Sequence, residues 1–110
     1  MDPEWKTLPR VCIEVDPDLI ELIPDFLTRK QADLKTLNEA LANSDLATIA
    51  ALGHRIKGEG GSFGFDVVSE IGAALEAAAK RGDRESARRL VTDLSEYLGK
   101  IDVVEGPEAD

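Results

Sequence analysis

The sequence has little of several residue types that mark particular classes of protein. Its 110 residues include one cysteine, one histidine, one tryptophan and one tyrosine, and aromatic residues make up only 5%. A single cysteine cannot form an intramolecular disulfide, and no cluster of cysteine and histidine offers a zinc site. No apolar run approaches the roughly 20 residues that a membrane span needs. These absences argue against a disulfide scaffold, a zinc module and a membrane protein.

Basic charge is also scarce, with 13 lysines and arginines against 22 aspartates and glutamates, and the formal net charge is −9. A nucleic-acid surface needs clustered positive charge, and an anionic membrane surface attracts basic segments, so both partners are disfavoured. The first five residues are acidic and lack the apolar core of a signal peptide. We therefore expect a cytoplasmic protein that binds neither nucleic acid nor membrane.

The length fits one domain, and apolar residues recur at helical spacing along most of it. Four amphipathic helices are predicted, beginning near Pro24, Ser44, Asp66 and Asp83, with the second ending at about Glu59. Asn43 or Ser44 is expected to cap the second helix, and Asp83 the fourth. Short loops between such helices predict an all-α fold, an antiparallel up-down four-helix bundle.

The two ends of the chain differ from its middle. Residues 1–16 contain two of the five prolines, and we expect an extended arm that packs loosely on the body. The bundle is assigned to residues 17–102, including a short extra helix that begins at Pro17 and is interrupted by Pro24. Residues 103–110 contain glycine, proline and acids, and are predicted to be a disordered tail.

The stretch from Gly53 to Phe65 contains the only histidine, His54, and five glycines. Each glycine in a helix interior costs about 1 kcal/mol relative to alanine, so this stretch gives up helix propensity. Three of the four residues one helical turn from His54 are alanine or glycine. These four residues are Ala50, Ala51, Lys57 and Gly58. The imidazole is therefore expected on the surface, with room for another protein to reach it.

Two charged residues are placed to act on this ring. Lys57 disfavours the imidazolium and leaves a neutral, nucleophilic imidazole, and it would attract a phosphoryl group. The Ser62–Phe65 turn reverses the chain, and counting outward from it places Glu76 at the level of His54. There a carboxylate could accept a hydrogen bond from one ring nitrogen and direct the other outward. A single histidine gives no repeated Glu-x-x-His pair, so a metal-binding bundle is disfavoured.

The sequence H-x-x-K-G at His54, with the glycine-rich turn at residues 60–65, resembles the histidine-containing phosphotransfer (HPt) domain. The resemblance extends to the helical body at residues 17–102. It implies a phosphocarrier, not an enzyme, in which His54 takes a phosphoryl group from the aspartate of one receiver domain and passes it to that of another. HPt domains have Glu or Gln at the position of Glu76, hydrogen-bonded to the histidine.

The resemblance also implies a role for each residue of the site. Nε2 of His54 would attack phosphorus, Lys57 would balance charge on the phosphoryl oxygens, Gly58 would leave room, and Glu76 would orient the ring. The expected partners are response-regulator receiver domains, with a hybrid histidine kinase as a further candidate. The chain would need no cofactor or metal of its own, because Mg²⁺ is expected on the receiver. A monomer fits this role.

A docking surface is expected around His54, with Phe26 and Arg29 as candidates on the neighbouring helix. No G-x-x-x-x-G-K-[ST] motif is present for phosphorylation from ATP. Two alternatives remain. The phosphotransfer domain of chemotaxis histidine kinases shares H-x-I-K-G and G-x-F-G-F, but tends to have a basic residue where Ala73 stands. The other alternative is a module that binds receivers without accepting phosphate. The intact His54, Lys57 and Gly58 argue against it.

Overall fold

The computed structural model describes residues 2–106, and most of them are helical. The predicted four helices are confirmed. They are α1 (Ile23–Ala42), α2 (Leu46–Ser62), α3 (Asp66–Lys80) and α4 (Arg84–Lys100). Two strands, β1 (Val11–Val15) and β2 (Ile101–Glu105), and two 3₁₀ turns, Glu4–Thr7 and Ile20–Leu22, complete the fold. No helix within residues 2–106 is both long and apolar enough to cross a membrane.

Side-chain caps begin two of the helices. The Asp45 carboxylate accepts a hydrogen bond from the Thr48 amide at 3.1 Å, and Asp83 accepts one from the Ser86 amide at 3.0 Å. Such caps satisfy amides that have no partner within the helix. Asp83 was predicted, whereas the prediction of Asn43 or Ser44 for α2 was wrong. Ser44 has a φ of 54° and belongs to the turn, so the next residue, Asp45, is the one that caps α2.

The core consists of the apolar face of each helix, packed together with three phenylalanines. Phe26 lies between the two aromatic rings of the α2–α3 turn, with its ring centroid 4.8 Å from that of Phe63 and 5.0 Å from that of Phe65. The turn is therefore held against α1 by ring packing. The largest fully buried apolar side chains elsewhere in the core are Val15, Leu37, Ile49, Ile56, Val68, Leu75, Leu94 and Tyr97.

Both ends of the described chain are ordered against the bundle, which corrects two expectations. β1 and β2 form a parallel pair, with Val11 opposite Ile101 and Val15 opposite Glu105. Residues 103–105, expected in a tail, therefore belong to a strand, and residues 1 and 107–110 lie outside the described residues. The arm does not pack loosely, because Trp5 is buried edge-on against Tyr97 at 5.2 Å. Strand pairing and this aromatic contact hold it in place.

The predicted short helix and the predicted end of α2 also differ from the structure. Ile20–Leu22 is a 3₁₀ turn that leads directly into α1, and Pro24 lies in the first turn of α1. A proline is tolerated there because its missing amide would have no helical partner. α2 continues past Glu59 to Ser62 although two glycines follow. Tertiary packing against α3 outweighs the low helix propensity of that segment.

Candidate functional site

α2 and α3 approach each other so closely that their backbones are in contact. A Cβ atom added at Gly53 would lie 2.7 Å from the Glu76 nitrogen and 2.8 Å from the Gly72 oxygen. One added at Gly72 would lie 2.5 Å from the Lys57 nitrogen. Real Cβ atoms do not come this close, so only glycine permits the crossing. These glycines therefore allow close contact between the two helices.

The crossing brings His54 and Glu76 together. The side chain of His54 is 74% exposed, and its Nδ1 lies 3.2 Å from Oε2 and 3.4 Å from Oε1 of Glu76. A carboxylate only accepts hydrogen bonds, so Nδ1 is the protonated nitrogen in the neutral ring and Nε2 retains its lone pair. Within residues 2–106, Nε2 has no hydrogen-bond partner. The structure thus places a free ring nitrogen on the surface, at the level that counting from the turn predicted.

Glu76 has a second partner that sequence reasoning missed. The Nζ atom of Lys80 lies 3.1 Å from Oε2 of Glu76, one turn along α3. This hydrogen bond lowers the pKa of Glu76 below its usual value, against the opposing effect of partial burial, and the contact with His54 lowers it further. The carboxylate therefore stays ionised behind the ring. The Glu-x-x-x-Lys spacing, which pairs charges on a helix, was the signal available in the sequence.

Lys57 and Gly58 lie one turn beyond His54 on the same exposed side of α2. No described atom of another element lies within 4 Å of the position that a Cβ would take at Gly58. A side chain there would project into solvent beside the ring and not into α3, unlike at Gly53. Ala50, Ala51 and the His54–Glu76–Lys80 group line a shallow recess on this face. The surface beside the ring, at Ala50 and Ala51 on one side and at Gly58 on the other, therefore lies lower than the imidazole.

An ion-pair network joins α2 to α1 on the other side of the histidine. The fully buried Lys30 places Nζ 2.6 Å from Oδ2 of Asp33 and 2.9 Å from Oε1 of Glu59. Arg55 contacts the other Asp33 oxygen at 2.5 Å, and Arg29 bonds Glu59. Partial burial opposes ionisation of Glu59, but the hydrogen bonds from Lys30 and Arg29 lower its pKa overall. The network therefore connects α1 to the helix that carries His54.

One of the two docking residues expected on α1 is not at the surface. Phe26 has no exposed area, because its ring is enclosed by the phenylalanines of the α2–α3 turn. Arg29 is 45% exposed but is held by Glu59 and Asp25. In the part of the chain that the structure describes, no group of three or more His, Cys, Asp or Glu side chains is arranged to hold a metal ion.

Comparison with known protein families gives one match. The model of the Hpt domain family matches residues 21–103, about three quarters of the chain, which confirms the resemblance drawn from His54 and the residues after it. No curated protein and no solved structure gives a significant match. The matched range spans all four helices and includes both His54 and Glu76.

Proposed function

Because the chain belongs to the Hpt domain family, whose members are phosphocarrier modules of two-component signalling, we propose that His54 is its phosphoacceptor. Hpt domains interact with response-regulator receiver domains. In this proposal His54 takes a phosphoryl group from the aspartate of one receiver and passes it to the aspartate of another. The observation that supports it most is the exposed ring whose Nδ1 contacts Glu76 while Nε2 is free.

This geometry supports the following transfer step. The Nε2 lone pair attacks phosphorus in line, the N–P bond forms, and the bond between phosphorus and the aspartyl oxygen of the receiver breaks. The aspartate leaves as a carboxylate, and the ring keeps its Nδ1 proton. Glu76 orients the ring and stabilises the positive charge that develops on it. In the second transfer a receiver carboxylate attacks phosphorus, and the N–P bond breaks. Mg²⁺ is expected on the receiver.

Lys57 and Gly58 have supporting roles in the proposal. The phosphoryl group carries a charge of about −2, and an exposed contact with Lys57 contributes on the order of 1 kcal/mol. That contribution suits orientation and charge balance more than affinity. Gly58 leaves the approach to Nε2 open, since any side chain at this position would stand in solvent beside the ring.

We also propose the antiparallel up-down order of helices, a monomeric carrier, and the cytoplasm as its compartment. Each connection between successive α-helices has only three residues, which favours antiparallel neighbours. The backbone contacts between α2 and α3 support this, because Gly60 lies against Ser69 and Gly53 against Glu76. A carrier that exchanges phosphoryl groups with receivers must share their compartment.

A transfer assay tests the proposed function. A panel of phosphorylated receiver domains is mixed with the wild type and with His54→Gln, without any kinase or ATP. We expect rapid, acid-labile labelling of the wild type alone, with unchanged helical circular dichroism in the variant. Equal labelling of both proteins would place the chemistry elsewhere. If a chemotaxis-type kinase core with ATP labels the wild type and no receiver does, the domain is fed by a kinase. Absence of any labelling would favour a module that only binds receivers.

A further inference from the structure

α2, the helix that carries His54, is almost free of acidic residues in a chain that is rich in them. The chain has 22 aspartates and glutamates, but the 17 residues of α2 include only Glu59. That carboxylate is bonded by Arg29 and Lys30. The helix therefore presents no free negative charge around the histidine.

Carboxylates and cations around His54 are arranged in two layers. Three carboxylates lie deeper, and each is bonded by a cation that is more exposed than itself, whereas a fourth, Asp25, is exposed and pairs with Arg29. The exposed fractions are 8%, 21% and 18% for the side chains of Asp33, Glu59 and Glu76, against 45%, 57% and 67% for those of Arg29, Arg55 and Lys80. Lys57 is also exposed. We call the four outer cations, Arg29, Arg55, Lys57 and Lys80, the cationic rim.

The rim gives this face a charge opposite to that of the whole chain. With the buried Lys30, five cations stand against four carboxylates, Asp25, Asp33, Glu59 and Glu76, which leaves +1, whereas the chain carries −9 and its remainder therefore −10. The Debye length is about 8 Å at physiological ionic strength, and the longest dimension of the molecule is 47 Å. A partner that approaches His54 is therefore governed by the rim and not by the distant acids.

We propose that the cationic rim is the docking surface for an acidic face of the partner receiver domain. This inference rests on the proposed function and specifies the chemistry of the partner. A receiver that brings a phosphoryl group on an aspartate presents negative charge at the point that must meet His54. A second copy of this chain docked rim to rim is a poor occupant, because two positive surfaces repel each other. The deeper carboxylates keep Arg29, Arg55 and Lys80 in place while their outer surfaces remain available.

The rim and the net charge predict opposite effects of salt. If net charge governed the encounter, added salt would screen repulsion between this chain and a net-negative receiver, and association would become faster. If the rim governs it, salt weakens the local attraction and association becomes slower. The test uses a net-negative receiver that labels the wild type, and quench-flow gives the second-order transfer rate constant at several salt concentrations. We expect this constant to fall as salt rises.

Charge-removing variants locate the effect. Arg55→Gln removes one rim charge, and Arg89→Gln removes one charge from α4, where Arg89 is 69% exposed. We expect Arg55→Gln to lower the second-order constant about two- to fivefold, the usual contribution of one exposed charge pair, with an unchanged rate at saturating receiver. Arg89→Gln should match the wild type. Arg55→Lys should restore most of the constant, because it returns the positive charge that Arg55→Gln removes. Arg29→Gln provides a second rim variant if Arg55→Gln unfolds.

Several outcomes would overturn the proposal. Equal effects of Arg55→Gln and Arg89→Gln, or a transfer constant that rises with salt, would assign the encounter to net charge. A dimer in sedimentation that is lost in Arg55→Gln would assign the surface to a second copy. In each of these cases His54 is still labelled, so the carrier function stands. If no receiver labels the wild type, the carrier function fails, and the rim proposal fails with it.

Discussion

Replacing Gly72 by alanine should separate the two helices that form the site. The added Cβ would lie 2.5 Å from the Lys57 nitrogen, and ordinary contact begins at 3.4 Å, so one backbone must move by about 0.9 Å. Alanine adds about 1 kcal/mol of helix propensity. Overpacking of a tight interface costs about 1–3 kcal/mol, so the clash prevails. We expect Gly72→Ala to lower the free energy of unfolding by about 1 kcal/mol in urea denaturation.

The same shift should disconnect His54 from Glu76. Adding it to the 3.2 Å separation of Nδ1 and the carboxylate gives about 4 Å, which is no longer a hydrogen bond. Loss of a hydrogen bond to a charged group, about 1.5 kcal/mol, should slow phosphoryl transfer about tenfold. Nitrogen NMR of the imidazole should show Nδ1 less protonated in the neutral ring than in the wild type.

Gly99→Ala is the matched control for this prediction. It makes the same chemical change in α4, where no described atom of another element lies within 4 Å of the new Cβ. Only the propensity gain remains there, so this variant should be more stable than the wild type by up to about 1 kcal/mol, with unchanged transfer. If Gly72→Ala behaved like Gly99→Ala in stability, transfer and ring protonation, the close crossing would not be what positions the two side chains.

Three further predictions concern single side chains. Gly58→Leu should slow transfer several-fold with little change in urea stability, because the new side chain stands in the approach to Nε2; an unchanged rate would contradict this. Glu76→Ala should slow transfer about tenfold and Glu76→Gln much less, since an amide oxygen still accepts from Nδ1; equal rates would remove its orienting role. Burial opposes ionisation of Glu59, but the hydrogen bonds from Lys30 and Arg29 lower its pKa overall. The contribution of Glu59 to the free energy of unfolding is therefore present above the ordinary Glu pKa of about 4.3, and it is lost as pH falls through the lowered value. Glu59→Gln, compared with Glu39→Gln, should therefore lose less stability on acidification than the wild type in urea titrations between pH 7 and 3.

Much of the helical fold could be predicted because its signals are local. Apolar residues at helical spacing and the cap at Asp83 act within one or two turns of the chain, so the sequence alone carries them. The level of Glu76 relative to His54 also followed from counting along a hairpin. The family resemblance rests on the same short stretch, and it is confirmed over residues 21–103.

The remaining features depend on contacts between distant parts of the chain. β1 is a strand because β2 lies beside it, and Val11 and its partner Ile101 are 90 positions apart. Gly53 and Gly72 are recognisable as a crossing only when both helices are in place, since a glycine in a sequence records only the lack of a side chain. α2 extends beyond Glu59 for the same reason, because Gly60 packs against Ser69 of α3.

The β1–β2 pair bears on the order in which the domain assembles and opens. Joining strands 90 positions apart closes a loop that contains all four helices, and the entropy lost on closing a loop grows with its length. The α2–α3 hairpin closes over far fewer residues, since Gly60 and Ser69 are nine apart. Hydrogen exchange should therefore find the strand amides opening with a smaller free energy than those of the hairpin. β1 and β2 can then separate and re-pair while His54 and Glu76 remain in contact.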